Sequence, residues 1–327
     1  AGVLIHFAYA LWLTYNNYQA RGKQRYEVTV TEPGVDWASK NMLVLGWIIL
    51  AGLALHLFNF WAKMQLVEIM GGHPVAVELK AETGYQLDLE EMERLVTPRT
   101  KMVLLTHPNN PTTTVYDRDS LRGLADFVIR HDLVLVVDQA FEDFTFGNEM
   151  ITPAALPGMF ERTVTVFSFS KGMGLSGLRV GYIVCDDRIM DKLYANAVSV
   201  IGATSTSAQK AVMAAMEHPE FMQQFATAYD NRRKMAFDLL NQVPGVSVQM
   251  PQSGFLCWVD VSALGDSGEI TAWLLEHAGL SVNDGVNYGP GGAGHLRIVL
   301  GVYRDDEKVY DALRRICAAL KEFGNKQ

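Results

Sequence analysis

The sequence predicts an α/β fold, with a mostly parallel sheet covered by helices on both faces. Three observations lead to it. The short runs Lys101–Thr106 (KMVLLT), Leu133–Asp138 (LVLVVD) and Thr163–Phe167 (TVTVF) are apolar almost throughout rather than alternating, as in strands buried on both faces. Stretches with helical spacing, Leu87–Val96 and Ser120–Arg130, alternate with them, which is the pattern of crossover connections. The 327 residues, 49% hydrophobic and 20% charged, suffice for two domains and a sizeable core.

The formal net charge of -8, with no dense lysine/arginine cluster, argues against a nucleic-acid partner. Cys185, Cys257 and Cys317 lie far apart in apolar contexts. They read as buried free thiols of a reducing compartment, not as disulfides or metal ligands. No metal site is expected. The first residue is alanine, which suggests a processed chain or a piece of a longer one.

Taken in order, the chain is expected to divide at residues 1–66, 67–243 and 244–327. The first segment reads as apolar helices able to form a membrane hairpin. Ala1–Leu13 carries no charge, Tyr15–Tyr26 is basic, and Asn41–Trp61 is an uncharged run bracketed by Lys40 and Lys63. About 20 such residues span a bilayer, so membrane association through 41–61 is one expectation and a buried helix of a soluble protein the other. The run Asn17–Tyr26, a tryptophan-bearing loop and His56-Leu57-Phe58-Asn59-Phe60-Trp61 together resemble part of the cytochrome b membrane subunit of succinate dehydrogenase or fumarate reductase. Helix histidines ligate haem in that family. The likeness covers only the first fifth of the chain and lacks the further helices that enclose haem. Haem b is therefore not expected, and His6 and His56 read as polar residues of an incomplete bundle.

Beyond residue 66 the pattern changes. Gly71-Gly72 signals a turn, and Pro74 opens a short β-branched strand. Asp88 is placed to cap the helix that follows. In a parallel sheet, ligands bind outside the carboxyl ends of the strands. The first apolar strand runs into His107-Pro108-Asn109-Asn110-Pro111-Thr112, the second ends on Asp138-Gln139-Ala140-Phe141, and the third on Ser168, three residues before Lys171. An amide, a carboxylate, a hydroxyl and a lysine thus gather on one rim. Singly, Asn110 is a turn residue, Asp138 a cap and Lys171 a surface lysine in a polar, glycine-bearing loop. A lysine delivered by a buried strand also loses its proton readily, which suits an amine that forms a Schiff base with a carbonyl.

The remainder predicts a long helix over Glu220–Leu240 and a small α+β domain from about Pro244. That domain contains a glycine-bearing strand around Pro251–Phe255 and a flexible loop at Gly289–Gly294. It then has Arg297 on a buried strand and a last helix over about Asp305–Phe323.

In order, Asn109-Asn110-Pro111-Thr112, Asp138-Gln139-Ala140-Phe141, Ser168-Phe169-Ser170-Lys171 with Arg179, and Leu296-Arg297-Ile298 resemble the class I/II aminotransferases that use pyridoxal phosphate (PLP). These have fold type I, that of the aspartate aminotransferase superfamily, and the likeness runs from about residue 71 onward. The resemblance implies a PLP-binding large domain, here with its first part missing. It implies amino transfer between an α-amino acid and a 2-oxo acid through a Lys171 Schiff base. Asp138 would pair with the ring nitrogen, Asn110 with the ring oxygen, and Ser168 and Arg179 with the phosphate. Phe141 and Ser170 would complete the cofactor contacts, and Arg297 with Asn110 would grip the substrate carboxylate. A cytoplasmic homodimer is implied. Lyase or decarboxylase chemistry on the same fold, or an inactive chimera, are the alternatives. Three departures stand out. Phe141 replaces a tyrosine that donates to the ring oxygen. Thr113 replaces a glycine. Residues 1–66 hold neither the glycine/serine phosphate loop nor the stacking aromatic residue, so weak or absent PLP binding is an expectation.

Overall fold

A computed structural model describes residues 67–68, 71–200 and 204–326. The apolar runs of residues 1–66, with His6, His56 and the cytochrome b likeness, lie outside the described residues. Among those described, no helix is long and apolar enough to cross a membrane. The chain falls into two compact units, Ala1–Pro74 and Val75–Gln327. In the first, Gly71 and Gly72 donate to the carbonyls of Glu68 and Val67 at 2.9 and 2.8 Å, forming the turn that the glycine pair signals.

The second unit contains two sheets. Four strands form the first, in the order β1 (Met102–Thr106), β2 (Val134–Asp138), β3 (Thr163–Ser168) and β4 (Gly181–Val184). The pairs β1–β2 and β2–β3 are parallel, and β4 returns antiparallel to β3. The register puts Thr106 beside Asp138 and Asp138 beside Val166, so the first three strands end on one rim. Leu105, Leu135 and Val137 from the strands meet Leu121, Leu124, Phe127 and Val128 of helix α2 (Arg118–Arg130) in one buried core.

Local signals explain the helices. Helix α1 (Leu89–Leu95) begins where the Asp88 carboxylate accepts from the Glu91 amide at 2.9 Å. Asp117 does the same for α2 through Ser120 at 2.7 Å. Such caps satisfy amides that have no partner within the helix. The β-branched stretch after Pro74 forms no strand. Val77 and Leu79 pack on the core instead, and no neighbouring strand pairs with them among the described residues.

Lys171 sits in a short helical turn, α3 (Phe169–Gly172), and not in a loop, because the Ser168 hydroxyl accepts from the Ser170 amide at 3.2 Å and starts the turn. Helices α4 (Asp187–Val200) and α5 (Thr206–Met216) follow, then the 21-residue α6 (Glu220–Leu240) as predicted.

The second sheet has the order β5 (Ser247–Val248), β6 (Leu256–Asp260), β8 (His295–Val299) and β7 (Asn283–Asp284), all antiparallel. Its core joins Cys257, Val259, Leu296 and Ile298 to Ala236 and Leu240 of α6 and to Ile270 of α7 (Ser267–Trp273). Leu313, Ile316 and Leu320 of α8 (Asp306–Gly324) complete it. Cys185, Cys257 and Cys317 are buried free thiols. The glycine-bearing segment before β6 is a turn, with Gly254 at φ +68°, and the strand starts only at Leu256.

The Gly289–Gly294 stretch is not a loose loop. Pro290–Gly292 forms a helical turn whose Gly292 abuts Gly285, where an added Cβ would meet the Gly285 carbonyl oxygen at 1.9 Å. Two glycines let two backbones touch, and the contact pins the segment that leads into β8.

Candidate functional site

The Lys171 amine lies at the rim where β2 and β3 end. Its Nζ is 5.6 Å from the Phe141 ring centre and 5.8 Å from that of Phe255. The two rings lie 5.6 Å apart, and Phe141 is buried. Burial is the largest cause that lowers the Lys171 pKa below the ordinary lysine value. Arg297 and then Arg179 add to it, and Asp138 opposes. A half-buried amine with two guanidiniums nearby holds its proton less tightly, for desolvation and like charge act in the same direction.

Asp138 closes β2, and its carboxylate accepts from the Ala140 amide at 3.2 Å. Arg179 stands in the left-handed region at φ +55° and donates to the Ser176 carbonyl at 3.0 Å. Ser168 and Ser170 are occupied by the turn that lifts Lys171, where the hydroxyl of one holds the amide of the other.

Asn110 hangs from the loop after β1, and that loop is tied at several points. His107 is buried, its Nε2 donates to the Ile151 carbonyl at 3.2 Å, and its Nδ1 accepts from the Tyr116 amide at 3.4 Å. Burial pushes the His107 pKa down to about 4, which keeps the ring neutral in this arrangement. Asn109 donates to the Tyr116 hydroxyl at 2.9 Å. The Ser253 hydroxyl donates to the Thr113 carbonyl at 2.7 Å. Thr113 itself takes φ +66°, so the loop keeps a left-handed turn at the position where the resemblance expects glycine, and a β-branched residue bears it.

Arg297, on β8, donates from Nη1 to Asn110 Oδ1 at 3.0 Å and from Nε to Asn283 Oδ1 at 3.3 Å. Its guanidinium carbon lies 5.2 Å from the Tyr288 ring centre. Burial lowers its pKa below the ordinary arginine value, as for a guanidinium half out of water.

Of the residues expected from the sequence, Lys171, Asp138, Phe141, Arg179, Arg297 and Asn110 converge by these contacts and charge effects. Ser168 and Ser170 shape the backbone turn. Sequence reasoning missed Asn283, Tyr288 and the ring of Phe255. Asn283 reaches the site through its cross-strand pairing with Arg297, a register that no local pattern announces. Outside these contacts, burial and the neighbouring Asp143 raise the pKa of Glu142 to about 7.

The family model of aminotransferase class I and II matches residues 59–316. It starts before Gly71, so Asn59, Phe60 and Trp61, read from the sequence with the cytochrome b-like stretch, fall inside the aminotransferase match. The chain is 34% identical over 253 residues to an arginine–pyruvate transaminase of Pseudomonas aeruginosa, covering 76% of this chain and 64% of that one. It is 30% identical over 285 residues to an aspartate/prephenate aminotransferase of Cereibacter sphaeroides, covering 81% and 68%. Among solved structures, the aspartate aminotransferase from Thermus thermophilus with maleate superposes with TM-score 0.73 at 28% identity, covering 79% of this chain and 67% of that one. The aromatic aminotransferase from Pyrococcus horikoshii gives 0.72 at 29%, covering 77% and 68%. The chain spans 57% to 68% of the length of the first curated relatives it matches.

Proposed function

The chain belongs to the aminotransferase class I and II family, and from that premise we propose that it moves an amino group between an α-amino acid and a 2-oxo acid with PLP. One observation carries the proposal. The amine of Lys171 is held low in pKa beside two guanidiniums, and one of these, Arg297, is already oriented by Asn110.

The donor set suits the cofactor. A phosphate dianion matches Arg179, and a protonated ring nitrogen matches the Asp138 carboxylate. An amine at Lys171 that gives up its proton more readily than an ordinary lysine matches an aldehyde. When bound, PLP supplies the aldehyde for amine exchange and a ring that draws electrons from the substrate α-carbon. The other steps fall to the chain. Asp138 would hold the proton on the ring nitrogen, and Asn110 would donate to the ring oxygen. Arg297 takes the α-carboxylate on its forked donors. The Lys171 Nζ would carry the proton from the substrate α-carbon to the cofactor, a task for an amine whose pKa lies below the ordinary lysine value. Phe141 and Phe255 keep water from that nitrogen.

The relatives and neighbours named above are aminotransferases, which favours amino transfer over lyase or decarboxylase chemistry and over an inactive chimera. They differ in amino acid, with arginine, aspartate or an aromatic residue in their names, so the donor is proposed only as an α-amino acid. A cytoplasmic homodimer accompanies the proposal. Titration with PLP, followed by a screen of amino donors with a 2-oxo acid, tests it. Saturable binding with a visible imine absorbance band that is lost in Lys171→Ala, with keto acid as product, is the expected result. Release of ammonia or carbon dioxide, or an imine band that survives Lys171→Ala, would overturn it.

A further inference from the structure

Asn283 stands outside every motif that suggested the site, yet it holds the arginine proposed to bind the substrate. It lies on the two-residue strand β7, opposite Arg297 in the β7–β8 register. Its Oδ1 accepts from Arg297 Nε at 3.3 Å, while Asn110 Oδ1 accepts from Nη1 at 3.0 Å. Tyr288 lies against the guanidinium, 5.2 Å from ring centre to carbon. Two amide oxygens and one ring thus fix the plane of the guanidinium from two separate segments of chain, the loop after β1 and residues 283–288.

The strand that carries Asn283 is itself tied down. The buried Ser267 hydroxyl donates to Asp284 Oδ1 at 2.7 Å and accepts from the Gly294 amide at 3.2 Å. It therefore joins β7 to the segment that enters β8. Asp284 also accepts from the Val286 amide at 3.2 Å, and Gly285 packs on Gly292. Asn283 has little freedom to leave Arg297.

The residue type matters as much as the place. An amide oxygen accepts from Arg297 without cancelling its charge. A carboxylate in the same position would form an ion pair with Arg297 and repel an incoming carboxylate. We propose that Asn283 is a positioning residue, which holds the Arg297 guanidinium in the plane that receives a substrate carboxylate and leaves its charge intact. The proposal rests on the aminotransferase function given above.

The test compares wild type with Asn283→Asp, which is isosteric, and Asn283→Ala, all loaded with PLP. Each is titrated by calorimetry with maleate, a carboxylate probe that needs no turnover. Rates are measured with L-aspartate, L-arginine, L-phenylalanine and phenethylamine, the last being phenylalanine without its carboxylate. In Asn283→Asp, maleate affinity is expected to fall about tenfold or more. KM for amino acids rises by a similar factor, while kcat changes far less. The advantage of phenylalanine over phenethylamine shrinks accordingly. Asn283→Ala, which frees the plane but adds no charge, falls between. Unchanged maleate affinity in both variants would overturn the proposal, as would equal losses for phenylalanine and phenethylamine. A wild type that binds maleate but transfers no amino group would count against the proposed function, and the maleate comparison would still decide the role of Asn283.

Discussion

Nη1 of Arg297, on β8 of the second sheet, donates to Oδ1 of Asn110, in the loop that leaves β1 of the first, at 3.0 Å. The two residues proposed to meet the substrate carboxylate therefore hold each other beforehand. A bidentate grip needs the planar fork of arginine, which lysine cannot reproduce. Arg297→Lys is expected to raise KM for an α-amino acid by about ten- to a hundredfold. Steady-state kinetics checks this, and PLP binding should be nearly unchanged.

Lys171 titrates below an ordinary lysine because of burial first, then Arg297, then Arg179. Removing a cationic neighbour favours the protonated amine. Arg179→Gln should thus shift the Lys171 titration upward and leave less neutral amine at a given pH. The pH dependence of Lys171 acylation by a neutral reagent, read by peptide mass, measures the shift. A downward or absent shift would show that Arg179 exerts no charge effect there.

His107 is kept neutral by burial, with its pKa lowered from 6.5 to about 4. The unfolded chain then binds more protons than the folded one between these values, so stability rises with pH across this window. The contribution is complete above 6.5 and is lost as pH falls toward 4, amounting to about 2 kcal/mol between pH 7 and pH 5. Urea unfolding at the two pH values should show this loss, and His107→Gln should flatten it. Glu142 acts with the opposite sign. Its pKa is raised from 4.5 to about 7, so its ionisation weakens the fold as pH rises through that range. Glu142→Gln should therefore add stability at pH 8, by about 1 kcal/mol after allowance for its partial exposure, and change little at pH 4.

Gly254 has φ +68°, and an added Cβ would come within 2.9 Å of the Phe141 ring. Gly254→Ala combines left-handed strain with a clash against a buried ring, a cost of about 2–4 kcal/mol. The midpoint of thermal unfolding should fall. Displacing Phe141 should also let water reach Lys171 and raise its pKa.

The sequence made the first sheet legible because strands buried on both faces have few polar positions, and because Asp88 caps its helix from adjacent sequence. Asn110, Asp138 and Lys171 were legible for a related reason. Each lies within a few residues of a strand end, and the topology aligns those ends. Asn283 and Tyr288 were not, since their approach to Arg297 depends on strand register and on the close contact of Gly285 with Gly292. Local composition also misled. Glycines at 289–294 suggested slack where two backbones in fact pack together. The β-branched run after Pro74 suggested a strand, but a strand needs a hydrogen-bonding neighbour as well as propensity.

Asn110 and Arg297 are 187 positions apart, as are Thr113 and Ser253 by 140. Closing such long loops is entropically slow, and contacts of this separation form after local helices and neighbouring strands. During refolding, the far-ultraviolet signal of helix and sheet should therefore return before carboxylate affinity does. Ligand recognition in this chain is a late reporter, registering the docking of distant segments rather than the appearance of secondary structure.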